Sequence, residues 1–203
     1  MIKIGVLALQ GDLEEHVDIT KKALEKLGLK GEVLLVKKPE EIESLDGLII
    51  TGGESTVFGK VSSRLNVYST IKQLSSKKVP LFGTCAGLIV FARNVYDRVV
   101  GETNQPILNL LNVTVSRNYF GRQRESFEAE LLIPVLGDKP FRGVFIRAPA
   151  IEEIGENVEI LARLEDIVVA VRQENLLATA FHPELTDDTR FHEYFLKMIL
   201  QEA

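Results

Sequence analysis

The chain has 203 residues, a 45% hydrophobic fraction and a formal net charge of −5. The length favours one domain over residues 1–203, and the hydrophobic fraction excludes an intrinsically disordered chain. The acidic balance argues against non-specific nucleic-acid binding, and no apolar run approaches the roughly 20 residues of a membrane span. The one cysteine, Cys85, excludes an internal disulfide, so we expect a cytoplasmic protein without a metal site.

In the first half of the chain, short apolar strands alternate with amphipathic helices. Ile4–Leu9 is interpreted as a first strand, not a signal peptide. Asp12 and Glu15 resemble a capping box at a helix start, and Gly28 suits the helix end. Further predicted elements are the strand Glu32–Val36, a helix over Pro39–Leu45, the strand Gly47–Ile50, a helix around Val67–Leu74 and the strand Val79–Phe82. This alternation is typical of βαβ units.

In the second half, strands follow one another closely. They are predicted at Leu111–Val115, Phe127–Ile133, Gly143–Ile146, Val158–Leu164, Ile167–Val171 and Leu176–Phe181. Several should be antiparallel, some extending the main sheet. A last helix covers Asp188–Leu200, and its buried stripe is Phe191, Phe195, Met198 and Ile199. The predicted fold is a three-layer α/β fold of flavodoxin-like type: an open, mostly parallel sheet with helices on both faces, and antiparallel strands in its second half.

The most informative segment is Gly83-Thr84-Cys85-Ala86-Gly87, which joins a predicted strand to a helix. It is the cysteine form of a nucleophile elbow, in which flanking glycines let strand and helix approach. A helix N-terminus lowers the pKa of such a thiol, and the N–H of Ala86 can face a developing oxyanion. The competing interpretation is a buried, inert cysteine. The motif alone does not decide between the two.

A second segment, His182-Pro183-Glu184, ends an apolar strand. A histidine there can take a proton from a nucleophile on a neighbouring elbow and return it to a leaving amine. Glu184 can orient the imidazole, as the acid of a triad does. Alone, this motif is more simply a histidine at a strand end beside a surface glutamate; beside a cysteine elbow, the catalytic interpretation is favoured.

Thr51-Gly52-Gly53-Glu54-Ser55-Thr56 follows the third strand, at the edge where open α/β sheets bind ligands. Its glycines allow backbone N–H groups to approach a substrate, although glycine pairs are also common in ordinary turns. Arg147, at a strand end, suits recognition of a carboxylate. From the residues alone, Arg117, Arg122 and Arg147 are more simply structural ion pairs. The two other histidines, His16 and His192, are expected on helix surfaces, without a catalytic role.

Together, the Gly-Gly loop, the cysteine elbow and the late His-x-Glu resemble the class I, or triad, glutamine amidotransferases. More closely, the sequence resembles the PdxT/SNO family, the glutaminase subunits of pyridoxal 5′-phosphate synthase. The resemblance covers nearly the whole chain, through Leu9–Gly11, Gly52–Thr56, Phe82–Gly87, Arg117–Gln123, Ser126–Glu128, Phe145–Pro149 and Phe181–Thr186. The elbow and His-Pro-Glu are shared widely among amidotransferases, whereas the two arginine-bearing stretches are more specific to this family.

The resemblance implies a glutaminase that needs no cofactor and no metal. Its catalytic residues would be Cys85 as nucleophile, His182 as base and acid, and Glu184 as orienting carboxylate. The oxyanion donors would be the N–H of Ala86 and one from the Gly52-Gly53 loop. The residues implied to line the glutamine pocket are Gly53, Glu54, Ser55, Arg117, Ile146 and Arg147.

The resemblance also implies a partner, the (β/α)₈-barrel synthase subunit, which receives the ammonia in a hetero-oligomer. Gln10 resembles the family position that contacts this subunit. One departure is visible: Thr51 stands where the family usually has proline.

Two other functions remain open. The chain can be the glutaminase of another amidotransferase, such as imidazole-glycerol-phosphate synthase, or a non-enzymatic cysteine sensor of DJ-1 type. The arginine-bearing stretches argue against the first, and the sensor does not need His182 and Glu184 at their positions.

Overall fold

The structure is a computed structural model that describes residues 1–56, 59, 62, 66–97, 101–120 and 126–201. Elements are numbered in chain order within these residues. The strands are β1 Ile2–Leu7, β2 Gly31–Val36, β3 Gly47–Ile50, β4 Leu81–Thr84, β5 Ala92–Asp97, β6 Gly101–Glu102, β7 Leu111–Arg117, β8 Ser126–Leu131, β9 Phe141–Ile146, β10 Ala150–Ile154, β11 Glu159–Leu164, β12 Ile167–Gln173 and β13 Leu176–Thr179. The helices are α1 Leu13–Lys26, α2 Pro39–Ile42, α3 Val67–Ser76, α4 Ala86–Phe91 and α5 Arg190–Gln201.

One large sheet organises the described chain, in the order β2-β1-β3-β4-β13-β12-β10-β7-β5-β6, with β11 paired to β12. The first five strands in this order are parallel. Strand β12 pairs antiparallel with β13, β11 and β10, while β8 and β9 form a separate hairpin. The carboxyl ends of β1, β3, β4 and β13 therefore meet at one edge, where open α/β sheets bind ligands.

Helices cover both faces of this sheet. A Cβ placed on Gly47 would meet Ile199 of α5 at 2.5 Å, so this side of β3 faces α5. Gly5 of β1 is paired with Leu48, the next residue of β3, and lies against Leu45 just beyond α2. Because successive residues of a strand point to opposite faces, α5 and the α2 segment lie on opposite sides of the sheet. The predicted three-layer fold is confirmed.

The predicted elements agree with the structure to within a few residues. Strand β3 coincides with its prediction, and the stripe of α5 is buried as expected. The predicted strand Val79–Phe82 lies two residues later, as β4, because the buried run continues to Thr84. Strands β5, β6 and β10 have no counterpart among the predicted elements. In β5 buried and exposed residues mix without clean alternation, so its sequence gives a weak strand signal.

The predicted capping box at the start of α1 is wrong. Asp12 is the N-cap residue, but its side chain makes no capping hydrogen bond. Its carboxylate points towards the ligand-binding edge of the sheet instead, as described below. Gly28 does end α1 as predicted, with a φ of +65° directly after the C-cap residue Leu27. Among the described residues, no helix has the length and apolar character of a membrane-spanning helix.

Candidate active site

Cys85 occupies a sharp turn between β4 and α4. Its φ is +49°, a left-handed value that is rare for a non-glycine residue. Its N–H donates to the carbonyl of Thr179 on β13 at 2.8 Å, which ties the turn to the neighbouring strand. A Cβ on Gly83 would meet the Phe91 ring at 2.7 Å, and one on Gly87 would collide with the carbonyl of Ile50. The flanking glycines thus permit the close packing of a nucleophile elbow.

His182 and Glu184 lie beyond the end of β13, next to this elbow. Nδ1 of His182 is 2.7 Å from Oε1 of Glu184, and both residues are buried. The N–H of His182 donates to the carbonyl of Val144 at 2.8 Å, so β9 anchors the segment. A second carboxylate also approaches the ring: Oδ2 of Asp12 lies 3.3 Å from the same Nδ1. The residue that was expected to cap α1 therefore belongs to the site.

The contacts of His182 favour its protonated form. Burial alone would lower the pKa of His182 from its ordinary 6.5, but hydrogen bonds with three side chains outweigh burial and raise the pKa to about 12. These side chains belong to Asp12, Cys85 and Glu184. Burial would raise the pKa of Glu184, yet the adjacent His16 and His182 rings hold it below its ordinary value. A protonated histidine in hydrogen-bond contact with a cysteine stabilises the thiolate, which is the nucleophilic form of the side chain.

His16 and His192 are both fully buried, so their expected place on helix surfaces is wrong. Nε2 of His16 lies 3.4 Å from Oε1 of Glu184 and 3.2 Å from the Thr84 hydroxyl. Its Nδ1 lies 3.3 Å from Nε2 of His192. The two rings extend from α1 and α5 into the core directly behind the predicted triad, which the sequence analysis did not anticipate.

A cavity of about 190 Å³ opens in front of Cys85. Ligand pockets for drug-sized molecules usually exceed about 300 Å³, so this one suits a smaller metabolite. Its lining comprises Gly11, Asp12, Gly53, Glu54, Ser55, Cys85, Ile89, Arg117, Asn118, Ile146, Arg147 and His182. All six predicted pocket residues are among them. Ala86, directly after Cys85, and Glu184, whose Oε1 is 2.7 Å from Nδ1 of His182, are buried and are not among the lining residues.

The Gly52-Gly53 loop is held between the side chains of His182 and Gln10. A Cβ on Gly52 would meet Cε1 of His182 at 2.5 Å, so only glycine allows the loop to lie against the imidazole. Gly53 has a φ of +116° and lies under the side chain of Gln10. Nε2 of Gln10 donates to the carbonyl of Glu54 at 3.0 Å. Gln10 therefore contacts the loop that was predicted to supply an oxyanion donor.

The two arginines of the cavity differ in their surroundings. The guanidinium of Arg117 donates to Oε1 of Glu54 at 3.1 Å and to Oε1 of Gln105 at 2.9 Å. Gln105 also accepts from the hydroxyl of Ser55 at 3.3 Å. Arg147, by contrast, is exposed at the rim with a φ of +42°. Within the described residues its guanidinium has no ion-pair partner, so it is open to a ligand carboxylate.

Part of the predicted Arg117–Gln123 stretch has no described position. Gly121, Arg122 and Gln123 lie outside the residues that the structure describes. Conversely, Asn118 and Gln105 take part in the site but were not singled out for it. Asn118 directly follows Arg117 at the end of β7, and that position was the available signal.

The same residues could in principle hold a metal ion. Asp12, His182 and Glu184 offer ligand atoms within 4.8 Å of one another. However, Nδ1 of His182 and Oε1 of Glu184 already lie at the distance of a short, charge-assisted hydrogen bond. That contact gives both atoms the arrangement of a histidine oriented by a carboxylate.

The fold and this arrangement of cysteine, histidine and glutamate define a glutamine amidotransferase. The chain belongs to the SNO glutamine amidotransferase family, whose family model matches residues 6–201. It is 50% identical to the pyridoxal 5′-phosphate synthase subunit PdxT of Pyrococcus furiosus, over 98% of this chain and all of that protein. It is 47% identical to the subunit of the same name from Staphylothermus marinus, over 99% of this chain and all of that protein.

Solved structures agree with this assignment. A crystal structure of a glutamine amidotransferase superposes with a TM-score of 0.84 at 47% identity, covering 97% of this chain and 98% of that chain. A chain of PurLQS from Thermotoga maritima superposes with a TM-score of 0.63 over 98% of both chains. Because its identity is 14%, this second match shows the shared fold alone.

Proposed function

We propose that this chain is the glutaminase subunit of a pyridoxal 5′-phosphate synthase, formed by one amidotransferase domain over residues 1–203. The observation that carries the chemistry is the joint placement of Cys85 and His182. Cys85 sits on a strained elbow at the cavity, in hydrogen-bond contact with His182, which Glu184 holds at 2.7 Å. The choice among glutaminases rests on the near full-length similarity to subunits of that synthase.

In the proposed reaction, Cys85 has transferred its proton to His182 before the chemistry begins, and the resulting thiolate attacks the side-chain amide of L-glutamine. The N–H of Ala86 and one from the Gly52-Gly53 loop stabilise the oxyanion of the tetrahedral intermediate. Collapse of this intermediate breaks the C–N bond, and His182 returns the proton to the departing ammonia. Water then hydrolyses the γ-glutamyl thioester on Cys85, which releases glutamate. These steps need no metal and no organic cofactor.

The cavity supplies groups that distinguish glutamine from other amides. Arg147 is open at the rim and is proposed to bind the α-carboxylate of the substrate. Glu54, held by Arg117 at 3.1 Å, presents a carboxylate to the α-ammonium group. Ser55 and Ile146 are proposed to contact the substrate as well, and the carbonyl of Ile146 lies 4.0 Å from Sγ of Cys85.

Ammonia protonates in water and then loses its nucleophilicity, so a partner must receive it directly. We propose the (β/α)₈-barrel synthase subunit as this partner, in a cytoplasmic complex where Cys85 remains reduced. Gln10 is proposed to face that subunit. Because Gln10 also donates to the carbonyl of Glu54 at 3.0 Å, a partner that contacts Gln10 would act directly on the loop that supplies an oxyanion donor.

The test is release of ammonia and glutamate from L-glutamine by the purified chain, with and without the synthase subunit, with Cys85→Ala as the blank. We expect strong activation by the subunit and none in the blank. Activity indifferent to that subunit would retain the glutaminase but overturn the proposed acceptor. No activity in either condition would overturn the proposed reaction.

His182→Ala separates the glutaminase from a cysteine sensor of DJ-1 type. A glutaminase loses hydrolysis in His182→Ala as completely as in Cys85→Ala. In a sensor, the response of Cys85 to oxidant would persist in His182→Ala.

A further inference from the structure

We propose that His16 is a positioning residue for the reaction, a second histidine that holds Glu184 in place for His182. This inference rests on the proposed function, because it assigns a role behind the proposed triad. Its basis is a buried arrangement of polar groups that the reaction itself does not use: His16 from α1, His192 from α5 and Thr84 from β4. Each of these three residues is fully buried.

The geometry places Glu184 between two imidazoles. Its Oε1 lies 2.7 Å from Nδ1 of His182 on one side and 3.4 Å from Nε2 of His16 on the other. Its second oxygen, Oε2, is buried and has no hydrogen-bond partner among the described residues. Within the described residues, the carboxylate is therefore held in direction only at Oε1, where both imidazole rings contact it.

His16 is itself fixed at both ring nitrogens. Nδ1 lies 3.3 Å from Nε2 of His192, and Nε2 lies 3.2 Å from the hydroxyl of Thr84. The His16 and His192 rings are tilted by 53° with centroids 5.5 Å apart, and the His192 and Phe82 rings make a T-shaped contact. A ring held in this way cannot turn away from Glu184, so α1 and α5 together determine where the carboxylate lies.

The proposal requires a proton on Nε2 of His16. A lone pair at that position would face the oxygen of an ionised carboxylate and repel it, whereas an N–H is attracted to it. The charged and titratable groups around Glu184 are His16 from α1, His192 from α5 and His182 on its own segment, with Asp12 beyond His182. If His16 were replaced by a residue that cannot donate, His182 would be the one remaining side-chain donor to Oε1 of Glu184 within the described chain.

Two isosteric amides test this role. The side-chain nitrogen of His16→Gln can reach the place of Nε2 and donate to Glu184, while that of His16→Asn can reach the place of Nδ1 and contact only His192. We expect kcat of the complex with the synthase subunit to fall about 100-fold in His16→Asn and less than about 10-fold in His16→Gln, with KM for glutamine nearly unchanged. Equal losses in the two variants, or a larger loss in His16→Gln, would overturn the proposal.

The pH profile gives a second readout that lost packing alone would not move. Without the donor, Glu184 gains a proton at higher pH. The acid limb of kcat/KM in His16→Asn should therefore lie at higher pH than in the unmodified chain, and in His16→Gln it should return towards its original position. An acid limb that does not move in His16→Asn contradicts the proposal.

Nitrogen-15 NMR on the unmodified chain tests the proposal even if the variants fail to fold. The chain has three histidines, so signals from labelled histidine are few, and His182→Asn and His192→Gln assign them. We expect a directly bonded proton on Nε2 of His16. A bare Nε2, accepting from the Thr84 hydroxyl, would overturn the proposal. If the unmodified complex releases no ammonia from glutamine, the proposed function fails, and this NMR result still decides whether Nε2 of His16 carries the proton that the proposal requires.

Discussion

The hydroxyl of Thr51 donates a hydrogen bond to the main-chain carbonyl of Gln10, with 2.5 Å between the two oxygens. Gln10 completes the connection through its side chain, which donates to the carbonyl of Glu54. The loop after β1 and the Gly52-Gly53 loop are thus linked on both sides of the glycines. Proline, the usual family residue at this position, would restrict the loop through its ring. Here a buried hydroxyl restrains the same loop by a hydrogen bond.

Thr51→Val should loosen the loop, because valine has nearly the shape of threonine but no hydroxyl. The half-buried carbonyl of Gln10 would lose this donor, which costs about 1 kcal/mol of unfolding free energy. We also expect a drop in kcat, since the loop carries a proposed oxyanion donor. Thr51→Ser retains the hydroxyl and serves as the matched control. Urea unfolding and glutamine turnover measure the two effects, and a valine variant equal to the serine variant in both would refute this role.

Asp12→Asn should make the imidazolium of His182 easier to deprotonate. The hydrogen bond with Asp12 is among the contacts that raise the pKa of His182 above its ordinary value. Without the negative charge this pKa falls, so the alkaline limb of kcat/KM should move to lower pH. Glu40→Gln removes one negative charge from an exposed position on α2 and is the control. Identical alkaline limbs in both variants would show that Asp12 does not act on His182.

Gly52→Ala should abolish most activity through a steric effect. The added Cβ would lie 2.5 Å from Cε1 of His182, so the imidazole or the loop must move. Gly52 is not among the residues with positive φ, and alanine therefore adds no backbone strain of its own there. A displacement of this size should reduce kcat about 100-fold. Gly28→Ala, where the added Cβ meets nothing within 4 Å, should leave kcat unchanged, although the φ of +65° makes alanine cost about 1 kcal/mol of stability there.

The accuracy of the sequence analysis depended on how local each feature is. Strand β3 coincided with its prediction because a parallel strand buried on both faces is an unbroken apolar run. The elbow was recognisable because the constraints on Cys85 come from its immediate neighbours. The contact between Asp12 and His182 was not, because it depends on the order of β1 and β13 within the sheet.

The burial of His16 and His192 could have been predicted from the sequence, because both lie on the apolar stripe of their helices. His16 is three residues after Leu13 and seven before Ala23, on the apolar stripe of α1, and His192 is three before Phe195 and seven before Ile199, on that of α5. Helical periodicity alone would have placed both rings inside. The general preference for histidine at helix surfaces gave the wrong answer, because it ignores what a buried imidazole can contact.

His192→Gln should change how stability depends on pH. Burial, together with the adjacent His16 ring, lowers the pKa of His192 to about 3 from an ordinary 6.5. Between these values the unfolded chain binds a proton that the folded chain does not, so the free energy of unfolding falls as pH falls. Glutamine does not titrate, and the variant should lose up to about 1.4 kcal/mol per pH unit of this slope. Urea unfolding at pH 7.5, 6 and 5, a range mostly above the titration of carboxylates, measures this slope. At pH 7.5 the variant should have the lower free energy of unfolding. Its difference from the unmodified chain should narrow as the pH falls. Parallel curves would mean that His192 binds a proton equally in the folded and unfolded chain.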